Sequence, residues 1–480
     1  MRDAVKHFGA HPKAQPAGSH AAGETCGDTI AAIATASGEA GIAVIRVSGP
    51  SSMAIADAVL DARGRRPSSM RGGTFLHGTV NDPSGMHGRA DEAVCLIFRA
   101  PHSYTGEDVV ELQCHGGRVA AERVLKAALA GGARVAEPGE FTRRAFLNGR
   151  MDLLQAEAVL DLIRARSDAA ATMALRQLDG VLTDWATVLY DGIMSTLAEM
   201  EADLDFPEED VPDPDTSEVA NRLTAIAGAV REALATSRPG RLAREGALMV
   251  IAGQPNAGKS TLMNRLLNHE RSIVSDVPGT TRDVVEDTLV INGVAVRVAD
   301  TAGLRDTACD IEKEGIRRAR KAMDGADVVL YVVDGSQPPS VADLDGIKQA
   351  GVDRTILVLN KSDLGIRHRA DWPTTVQCVA VSARTGAGEE DLITLVSSKI
   401  GTLGDAAHPV MVAERHREIL DGVLGHLVRA REILASQGSD RIVLAASELH
   451  GAVDLLGTMT GRNYTEDLLD SIFGRFCIGK

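Results

Sequence analysis

The sequence predicts a multidomain chain in which an α+β domain is followed by an all-α helical domain that carries an inserted α/β P-loop domain. Three observations predict this fold class. At 480 residues, the chain is long enough for roughly three domains. Its apolar pattern changes along the chain between short strands and a helical period, and a phosphate-binding loop pattern follows one strand. With 44% hydrophobic residues, the domains can form cores, so a wholly disordered chain is excluded.

Residues 29–149 are predicted to form the α+β domain. The segments 41–49, 91–98 and 109–117 (GIAVIRVSG, DEAVCLIF and VVELQCHGG) have the apolar pattern of strands. Residues 119–129 have the pattern of a helix. Short strands mixed with a helix are typical of a compact α+β domain.

The helical domain is predicted to comprise residues 150–245 plus 402–480. Apolar residues step by three and four along 153–163 and again along 442–456, as on one face of a helix. The segment 201–215, with eight acidic residues and three prolines, is interpreted as an extended, solvated connector. Residues 246–401 alternate strands and helices between the two helical blocks. We interpret them as an insertion, since domain termini often lie close together.

Composition and charge exclude several classes of function. The chain has 51 Lys and Arg against 66 Asp and Glu, a net charge of −15. Residues 1–150 hold 17 basic against 15 acidic residues (+2), and the rest hold 34 against 51 (−17). A broad basic footprint for nucleic acid is therefore absent, and 3% aromatic residues disfavour a stacking platform for single strands. An RNA substrate would have to meet a local patch or be held by a partner protein.

The termini and cysteines bear on the cellular compartment. Residues 1–28 lack the apolar stretch of a secretory signal, so they are not predicted to be one. They are predicted to be a disordered tail, and an organellar transit peptide is the alternative. The six cysteines include no CxxC pair and indicate reduced thiols in a cytoplasmic protein. No run of 18 apolar residues occurs, so no membrane-spanning helix is predicted.

The inserted domain opens with a strand that leads into GQPNAGKS (253–260), which fits the pattern GxxxxGK[ST]. Glycines let backbone N–H groups surround phosphate oxygens, and the next helix adds its positive N-terminal end. Lys259 would reach the β- and γ-phosphates, and Ser260 would ligate Mg²⁺. Chance supplies this pattern about 0.01 times in such a chain; a Gly-rich turn before a helix is the alternative.

Further motifs follow in the order that a GTPase needs. PGTTRD (278–283) offers Thr281 as a second Mg²⁺ ligand. After a hairpin with an Asn292-Gly293 turn, DTAG (300–303) offers Asp300 to Mg²⁺ through water and the N–H of Gly303 to the γ-phosphate. Each motif is weak alone, but together they predict a domain that binds GTP.

Guanine recognition is predicted at two later strand ends. In NKSD (360–363), the two oxygens of Asp363 can accept both N1–H and N2–H of guanine, which adenine cannot offer. Asn360 and Lys361 would brace the base, and SAR (382–384) would contribute backbone contact to the guanine oxygen.

One expected GTPase group is missing. Leu304 follows DTAG, where many GTPases keep a glutamine that orients water. Asn256 and Glu312 are the candidate substitutes. A loop-bracing asparagine and a solvated glutamate at a helix start are the alternatives.

From Thr29 to Lys480 the chain resembles the tRNA-modification GTPase family MnmE, also called TrmE. The resemblance rests on the motifs above and on SYTGEDVVELQCHGG, PGEFTRRAFLNGRMDLLQAEA and the terminal FCIGK. It implies an N-terminal domain similar to folate-binding modules, a helical domain, and an inserted Ras-like G domain. It also implies a homodimer formed through the N-terminal domain.

The resemblance implies two ligands besides GTP and Mg²⁺. A 5,10-methylene- or 5-formyl-tetrahydrofolate would contact Arg46, Glu111, Arg150 and Lys480. From the sequence alone, Arg46 and Glu111 would be taken as solvated or ion-paired residues.

Potassium is the second implied ligand, since family members resemble GTPases activated when two G domains meet around K⁺. Asn256, Ser275, Val277 and Thr280 would hold the ion, which can replace an arginine finger, and Glu312 would orient the water. With the motif residues, the predicted nucleotide contacts are Asn256, Ala257, Gly258, Lys259, Ser260, Thr261, Ser275, Asp276, Val277, Pro278, Gly279, Thr280, Thr281, Asp300, Thr301, Ala302, Gly303, Asn360, Lys361, Asp363, Ser382, Ala383 and Arg384.

The C-terminal FCIGK offers a second chemistry. CIGK has the form of a prenylation box, but its last two residues fit neither prenylation class, and a plain thiol is the other alternative. The family places Cys477 near the folate site with a catalytic role. Cations such as Arg475 or Lys480 would favour its reactive thiolate.

The resemblance implies the GTPase subunit of an enzyme that adds an aminomethyl or carboxymethylaminomethyl group to C5 of the wobble uridine in tRNA. The partner MnmG (GidA), in a heterotetramer or larger complex, would bring FAD, NADH chemistry and most tRNA contacts. GTP hydrolysis would drive closure of the G domains. The alternative is a switch GTPase in ribosome assembly or signalling, whose N-terminal domain only mediates dimerisation.

Overall fold

The computed structural model describes residues 27–83, 85, 88–205, 216–269, 287–300, 323–366, 368–400, 412–437 and 440–480. The chain divides into two compact units. The first comprises Met1–Leu160, Gln177–Thr224 and Gly425–Lys480, and the second comprises Asp161–Arg176 and Ala225–Leu424. Helical segments occur in both units, so the predicted bounds of the helical domain remain a prediction.

The first unit contains a seven-stranded sheet in the order β3-β4-β5-β6-β2-β1-β7. Neighbouring strands are antiparallel, except that β1 and β7 are parallel. The strands are β1 (Ile30–Ile33), β2 (Ile42–Ser48), β3 (Leu60–Asp61), β4 (Thr74–Asn81), β5 (Arg89–Phe98), β6 (Val109–His115) and β7 (Arg134–Val135). The strands predicted at 41–49, 91–98 and 109–117 are thereby confirmed as β2, β5 and β6.

One face of this sheet is covered by α1 (Ser52–Val59) and α2 (Arg118–Ala130). Alternate residues of the central strands, such as Ile45 and Leu112, point into this core and are buried. Because side chains alternate across a strand, the intervening residues, Arg46 and Glu111, lie on the opposite face. They are register partners in the β2–β6 pair.

Helices occupy the chain after the sheet. They are α3 (Glu140–Leu147), α4 (Leu153–Arg164), α5 (Asp168–Leu178), α6 (Val181–Asp205), α7 (Thr216–Ala235) and α8 (Ser237–Glu245). The predicted connector at 201–215 is therefore wrong in its first residues, because α6 continues through Asp205. Its remaining residues, 206–215, lie outside the described part of the chain.

The second unit contains a six-stranded sheet in the order β13-β12-β11-β8-β10-β9. All neighbouring strands are parallel except the β9–β10 hairpin, whose Asn292-Gly293 turn has positive φ at both residues, as predicted. The elements are β8 (Ala247–Ala252), α9 (Lys259–His269), β9 (Asp287–Ile291), β10 (Val294–Asp300), β11 (Val328–Asp334), α10 (Val341–Ala350), β12 (Thr355–Asn360), β13 (Gln377–Ala380) and α11 (Glu389–Ile400). The central strands are buried on both faces, which explains their unbroken apolar runs.

The chain ends in α12 (Glu414–Ala435), α13 (Arg441–Thr460) and α14 (Glu466–Phe473). Within the described residues, α13 has the length and apolarity of a membrane-spanning helix. However, 44% of its most apolar 18-residue stretch is buried inside the protein. It contacts α6 in the first unit, so it has the packing of a core helix. A single helix of this kind is weak evidence for a membrane span.

Candidate functional site

The phosphate-binding motif lies where the chain leaves β8 and enters α9. Strand β8 lies between β10 and β11, so its carboxyl end is a point where the strand order reverses, and such points are preferred ligand sites. Lys259 is 7% exposed, and its ammonium donates to the carbonyl oxygens of Gly253 (3.0 Å) and Gln254 (2.9 Å). The lysine thus lies over the loop that would surround the phosphates.

Asn360 connects the phosphate loop to the guanine loop. Its Nδ2 donates to the carbonyl of Ala257 (2.8 Å), and its Oδ1 accepts from the backbone N–H of Ala383 (3.0 Å). Gly258 has φ +94°, and a Cβ there would lie 2.2 Å from Asn360 Nδ2. The glycine is therefore required for the asparagine to reach the loop.

Asp363 faces the same region from the next turn. One of its oxygens accepts from Ser382 Oγ (2.7 Å), and the other pairs with Arg384 (2.9 Å). The hydrogen bond from Ser382, its own backbone N–H and the charge of Arg384 lower the pKa of Asp363. The carboxylate is therefore ionised at neutral pH and oriented to accept hydrogen bonds.

Lys361 and Arg265 each form an ion pair next to these loops. Lys361 donates to Asp334 at the end of β11 (2.8 Å). Burial acts to raise the pKa of Asp334, but hydrogen bonds from Lys361 and Ser336 outweigh it and lower that pKa. Arg265 on α9 donates to the buried Glu389 at the start of α11 (2.9 Å). Sequence reasoning missed the Arg265–Glu389 pair, because no motif includes either residue.

Part of the predicted nucleotide site cannot be located. Of Asp300, only the backbone at the end of β10 is described. Eleven predicted site residues lie outside the described chain, namely Ser275, Asp276, Val277, Pro278, Gly279, Thr280, Thr281, Thr301, Ala302, Gly303 and Glu312. The structure therefore assembles the phosphate loop and the guanine loops, and leaves the remaining motifs as predictions.

A second cluster lies on the open face of the seven-stranded sheet. Arg46 Nε donates to Glu111 Oε1 (2.8 Å), with side chains 15% and 16% exposed. The guanidinium also lies over the rings of Tyr104 (5.1 Å) and Phe141 (5.5 Å). We call these four residues the sheet-face cluster. Sequence reasoning assigned the two charged residues but not the two rings.

The C-terminal tail, residues 477–480, reaches this cluster within the first unit. Ile478 bridges to Pro138, and a Cβ on Gly479 (φ +101°) would lie 2.2 Å from the carbonyl oxygen of Ile33. Burial and the charge of Arg46 lower the pKa of Lys480, while Glu111 and Cys477 oppose the shift. The side chains of Lys480 and the Arg46–Glu111 pair are therefore within electrostatic reach. Cys477 is exposed, and its carbonyl accepts from the backbone N–H of Lys480 (3.3 Å).

Loop 99–108 forms another wall of the cluster. The hydroxyl groups of Tyr104 and Thr142 are hydrogen-bonded to each other (2.9 Å). Burial raises the pKa of Tyr104, although the hydrogen bond with Thr142 and the charge of Arg46 act to lower it. A Cβ on Gly106 would lie 3.2 Å from Arg150 Cγ, so the exposed Arg150 packs over this loop. The structure thus places Arg150 beside the loop that carries Tyr104.

A buried ion cluster holds that loop in place. Arg144, only 3% exposed, pairs with Asp28 (2.7 Å), Glu140 (2.9 Å) and Glu107 (3.2 Å). Burial acts to raise the pKa of Glu140, but hydrogen bonds from Arg134, the N–H of Glu137 and Arg144 outweigh it and lower that pKa. Asp28, assigned from the sequence to the tail, is thus part of the ordered fold.

Two family models of known proteins match most of the chain. A family model described as "GTP-binding protein TrmE N-terminus" matches residues 29–150, and one described as "MnmE helical domain" matches 153–477. A tRNA modification GTPase MnmE from Symbiobacterium thermophilum is 44% identical over 460 residues, covering 94% of this chain and 99% of the relative. One from Geobacter metallireducens is 42% identical over 457 residues, with coverage of 94% and 99%.

Among solved structures, Era from Aquifex aeolicus bound to GDP·AlF4⁻ is 22% identical, covering 40% of this chain and 68% of that one, with a TM-score of 0.26. That TM-score is too low to support a conclusion. The two family models and the curated relatives confirm the predicted multidomain fold class.

Proposed function

The chain belongs to the MnmE family of tRNA modification GTPases, and from this premise we propose that it acts with MnmG on the wobble uridine of tRNA. It hydrolyses GTP, as its family does. In the proposed reaction an aminomethyl or carboxymethylaminomethyl group is placed on C5 of that uridine. MnmG supplies FAD and NADH chemistry, and the two proteins form a heterotetramer or larger complex in the cytoplasm.

This proposal rests mainly on one observation: the C-terminal tail, residues 477–480, packs next to the sheet-face cluster. A dimerisation module alone would not need a thiol at Cys477 beside a largely buried Arg46–Glu111 pair. Within the described residues, this cluster lies in a different unit from the phosphate and guanine loops. The chain therefore carries two chemical sites, which favours a modification enzyme over a simple switch.

The sheet-face cluster fits a tetrahydrofolate, either the 5,10-methylene or the 5-formyl form. Aromatic rings of Tyr104 and Phe141 lie beside the charged pair, so flat surfaces and hydrogen-bonding groups are available together. Glu111 can accept N–H groups, and Arg46, Lys480 and Arg150 can receive carboxylates. When bound, the folate supplies the one-carbon unit, and the chain's residues hold and orient it.

We propose that the nucleotide loops bind GTP with Mg²⁺ and K⁺. Ser260 lies in the first turn of α9 and would ligate Mg²⁺ together with Thr281. Asn256 has φ +65°, a conformation that asparagine tolerates better than most residues, and it is exposed on the loop. We propose that it binds K⁺ with Ser275, Val277 and Thr280 when two G domains of the homodimer meet, and that Glu312 orients the attacking water.

Nucleoside mass spectrometry of bulk tRNA tests the proposed function. Deleting the gene should remove carboxymethylaminomethyl- and aminomethyl-type uridines, and the wild-type gene should restore them. Cys477→Ser should fail to restore them while GTP hydrolysis continues, since the thiol lies in the other unit. An unchanged nucleoside profile on deletion would point instead to the switch GTPase in ribosome assembly or signalling.

The potassium proposal has its own test. Hydrolysis by the full-length chain should be much faster in K⁺ than in Na⁺, and Asn256→Ala should remove that difference. Equal rates in the two salts for the wild-type chain would eliminate the proposed role of Asn256, without bearing on tRNA modification.

A further inference from the structure

A basic loop, residues 62–72, lies at the edge of the seven-stranded sheet between β3 and β4. It contains four arginines and no acidic residue. All four are exposed, namely Arg63, Arg65, Arg66 and Arg71. In the part of the chain that the structure describes, their side chains make no ion pair or hydrogen bond with another residue. The loop is thus a concentration of positive charge, without ion-pair partners among the described residues, on a chain whose net charge is −15.

The backbone of the basic loop is held by groups other than these arginines. Asp61 accepts from the N–H of Arg63 (3.1 Å), and Asp57 accepts from the N–H of Ser68 (2.9 Å). Arg99 donates to the carbonyl of Ser68 (2.6 Å) and also pairs with Asp108 (2.8 Å). Asp57 and Asp61 are therefore bonded to the backbone of the loop, and neither forms an ion pair with its arginine side chains.

A tight turn presents the first arginines. Arg63 (φ +55°) and Gly64 (φ +82°) both have positive φ, and Ala62 bridges to Arg65 across them, as in a type I′ hairpin. Pro67 is buried at the start of a 3₁₀ turn, Pro67–Ser69. A fixed backbone lowers the entropy that the loop would lose when it binds a partner.

We propose that the basic loop binds backbone phosphates of the tRNA substrate. This inference rests on the proposed function, because it assumes that tRNA is bound during modification. Guanidinium groups suit phosphates, since their planar donors can bind two oxygens at once. The loop would position the tRNA without reading its sequence. It also supplies the local patch that an acidic chain requires if RNA is to bind.

RNA is favoured over an anionic membrane by the apolar residues of the loop. Pro67 is buried and Met70 is partly buried, so neither offers the exposed apolar side chain that interfacial membrane binding uses. Binding to RNA phosphates requires only the arginine side chains and no exposed apolar residue.

The arginines of the basic loop lie at the sheet edge, away from the Arg46–Glu111 pair, although the backbone of the loop is hydrogen-bonded to Arg99 at the start of loop 99–108. Strand β3 is four positions from β2 in the sheet order, which corresponds to about 19 Å at the usual strand spacing. Substitutions in the loop should therefore leave the Arg46–Glu111 pair and the nucleotide loops intact.

The test is fluorescence anisotropy with a labelled tRNA transcript and the full-length chain. In Arg63→Gln/Arg66→Gln, we expect the Kd to rise roughly tenfold at about 100 mM salt. The slope of log K against log salt should become shallower by about two, because each arginine removed leaves one phosphate unneutralised. GTP hydrolysis should not change. Arg65→Gln/Arg71→Gln provides a second variant with the same change in charge.

The matched control is Arg123→Gln/Lys126→Gln, which removes the same charge from α2, outside the basic loop. This control should bind tRNA like the wild-type chain; an equal loss of affinity would show a general charge effect and overturn the proposal. Unchanged tRNA affinity in both loop variants would also overturn it. So would loss of binding to phosphatidylglycerol-containing vesicles with tRNA binding retained, since the loop would then be a membrane contact.

The nucleoside assay separates this inference from the proposed function. If the wild-type gene fails to restore the modified uridines, the proposed function fails whatever the loop binds. If it restores them and the loop variants bind tRNA normally, only the inference about the basic loop fails.

Discussion

The nucleotide loops and the sheet-face cluster differ in how their residues come together. The predicted nucleotide-binding residues that the structure describes lie in short motifs at or directly after the ends of strands, and parallel strands end at the same edge of a sheet. Asn360 then needs only its own side chain to join the loops through Ala257 and Ala383. In the sheet-face cluster, Arg46 and Glu111 are 65 residues apart, and Lys480 is the last residue of the chain.

Because of this difference, the two sites should be sensitive to different substitutions. The nucleotide loops depend on local backbone conformation and on single polar side chains. The sheet-face cluster depends on register, because a shift of one residue between β2 and β6 would move Glu111 to the opposite face. It also depends on the path of the tail. Three predictions test this comparison, in order of decreasing effect.

The largest effect is expected for Asp363→Asn in the guanine loop. The amide keeps one acceptor but turns an N–H toward the N–H groups of guanine, so a pair of charge-assisted hydrogen bonds is lost. We expect GTP and GDP affinity to fall about 100-fold or more. Isothermal titration calorimetry with GDP measures the change.

The same Asp363→Asn variant should bind xanthosine triphosphate better than the wild-type chain does, since xanthine carries an oxygen in place of the guanine amine. Asp345→Asn, on α10 and outside the nucleotide motifs, is the matched control and should bind GDP normally. Wild-type GDP affinity in Asp363→Asn would remove Asp363 from guanine recognition.

A smaller effect is expected for Gly479→Ala in the tail. The added Cβ would lie 2.2 Å from the carbonyl oxygen of Ile33, so the tail must move away from the sheet-face cluster. Overpacking of this kind costs about 1–3 kcal/mol, which corresponds to a factor of roughly 5 to 150 in affinity if the whole cost falls on the bound conformation of the tail. We expect 5-formyl-tetrahydrofolate affinity to fall by that factor in a calorimetric titration, with GTP hydrolysis unchanged.

Gly228→Ala serves as the control for the tail variant, because a Cβ on Gly228 in α7 meets nothing within 4 Å. It should retain folate affinity. If Gly479→Ala binds the folate as tightly as the wild-type chain, the tail does not contribute to that site.

The third prediction has the smallest effect on the two sites themselves, because it concerns the stability of the first unit: it tests the buried Arg144 cluster and its dependence on pH. Because the pKa of Glu140 is lowered in the folded chain, its ionised form stabilises the fold. That contribution is complete above the unfolded pKa of about 4.5. It is lost as the pH falls through the lower folded pKa. Acidification from about pH 5 toward pH 3 should therefore destabilise the first unit.

Glu140→Gln should lower the free energy of unfolding at neutral pH by about 2–3 kcal/mol, since it leaves Arg144 with weaker partners. It should also flatten the loss between pH 5 and pH 3. Urea unfolding followed by Trp185 fluorescence, in a Trp372→Phe background, measures this in the first unit. Glu122→Gln, which breaks only the exposed pair with Arg118, should cost about 0.5 kcal/mol or less. Equal losses in the two variants would contradict the prediction.

Short-range patterns in the sequence were enough to predict the fold class, three strands of the first sheet, the Asn292-Gly293 hairpin and the positions of the phosphate and guanine motifs. These features follow from apolar periodicity and from residues that tolerate special backbone conformations, and both are local properties of a chain. The proposed folate contacts, Arg46, Glu111, Arg150 and Lys480, came from resemblance, because nothing local distinguishes them from solvated charges.

Tertiary structure alone decided which distant side chains meet. Tyr104 and Phe141 reach Arg46 only because β2 pairs with β6 and because the Arg144 cluster holds loop 99–108 beside α3. Asp28 belongs to the ordered fold because its carboxylate is a partner of a buried guanidinium, and burying that charge without partners would be costly. Likewise, the nearby carboxylates bind backbone N–H groups of the basic loop and not its arginine side chains, a choice that depends on three-dimensional contacts and not on the order of residues.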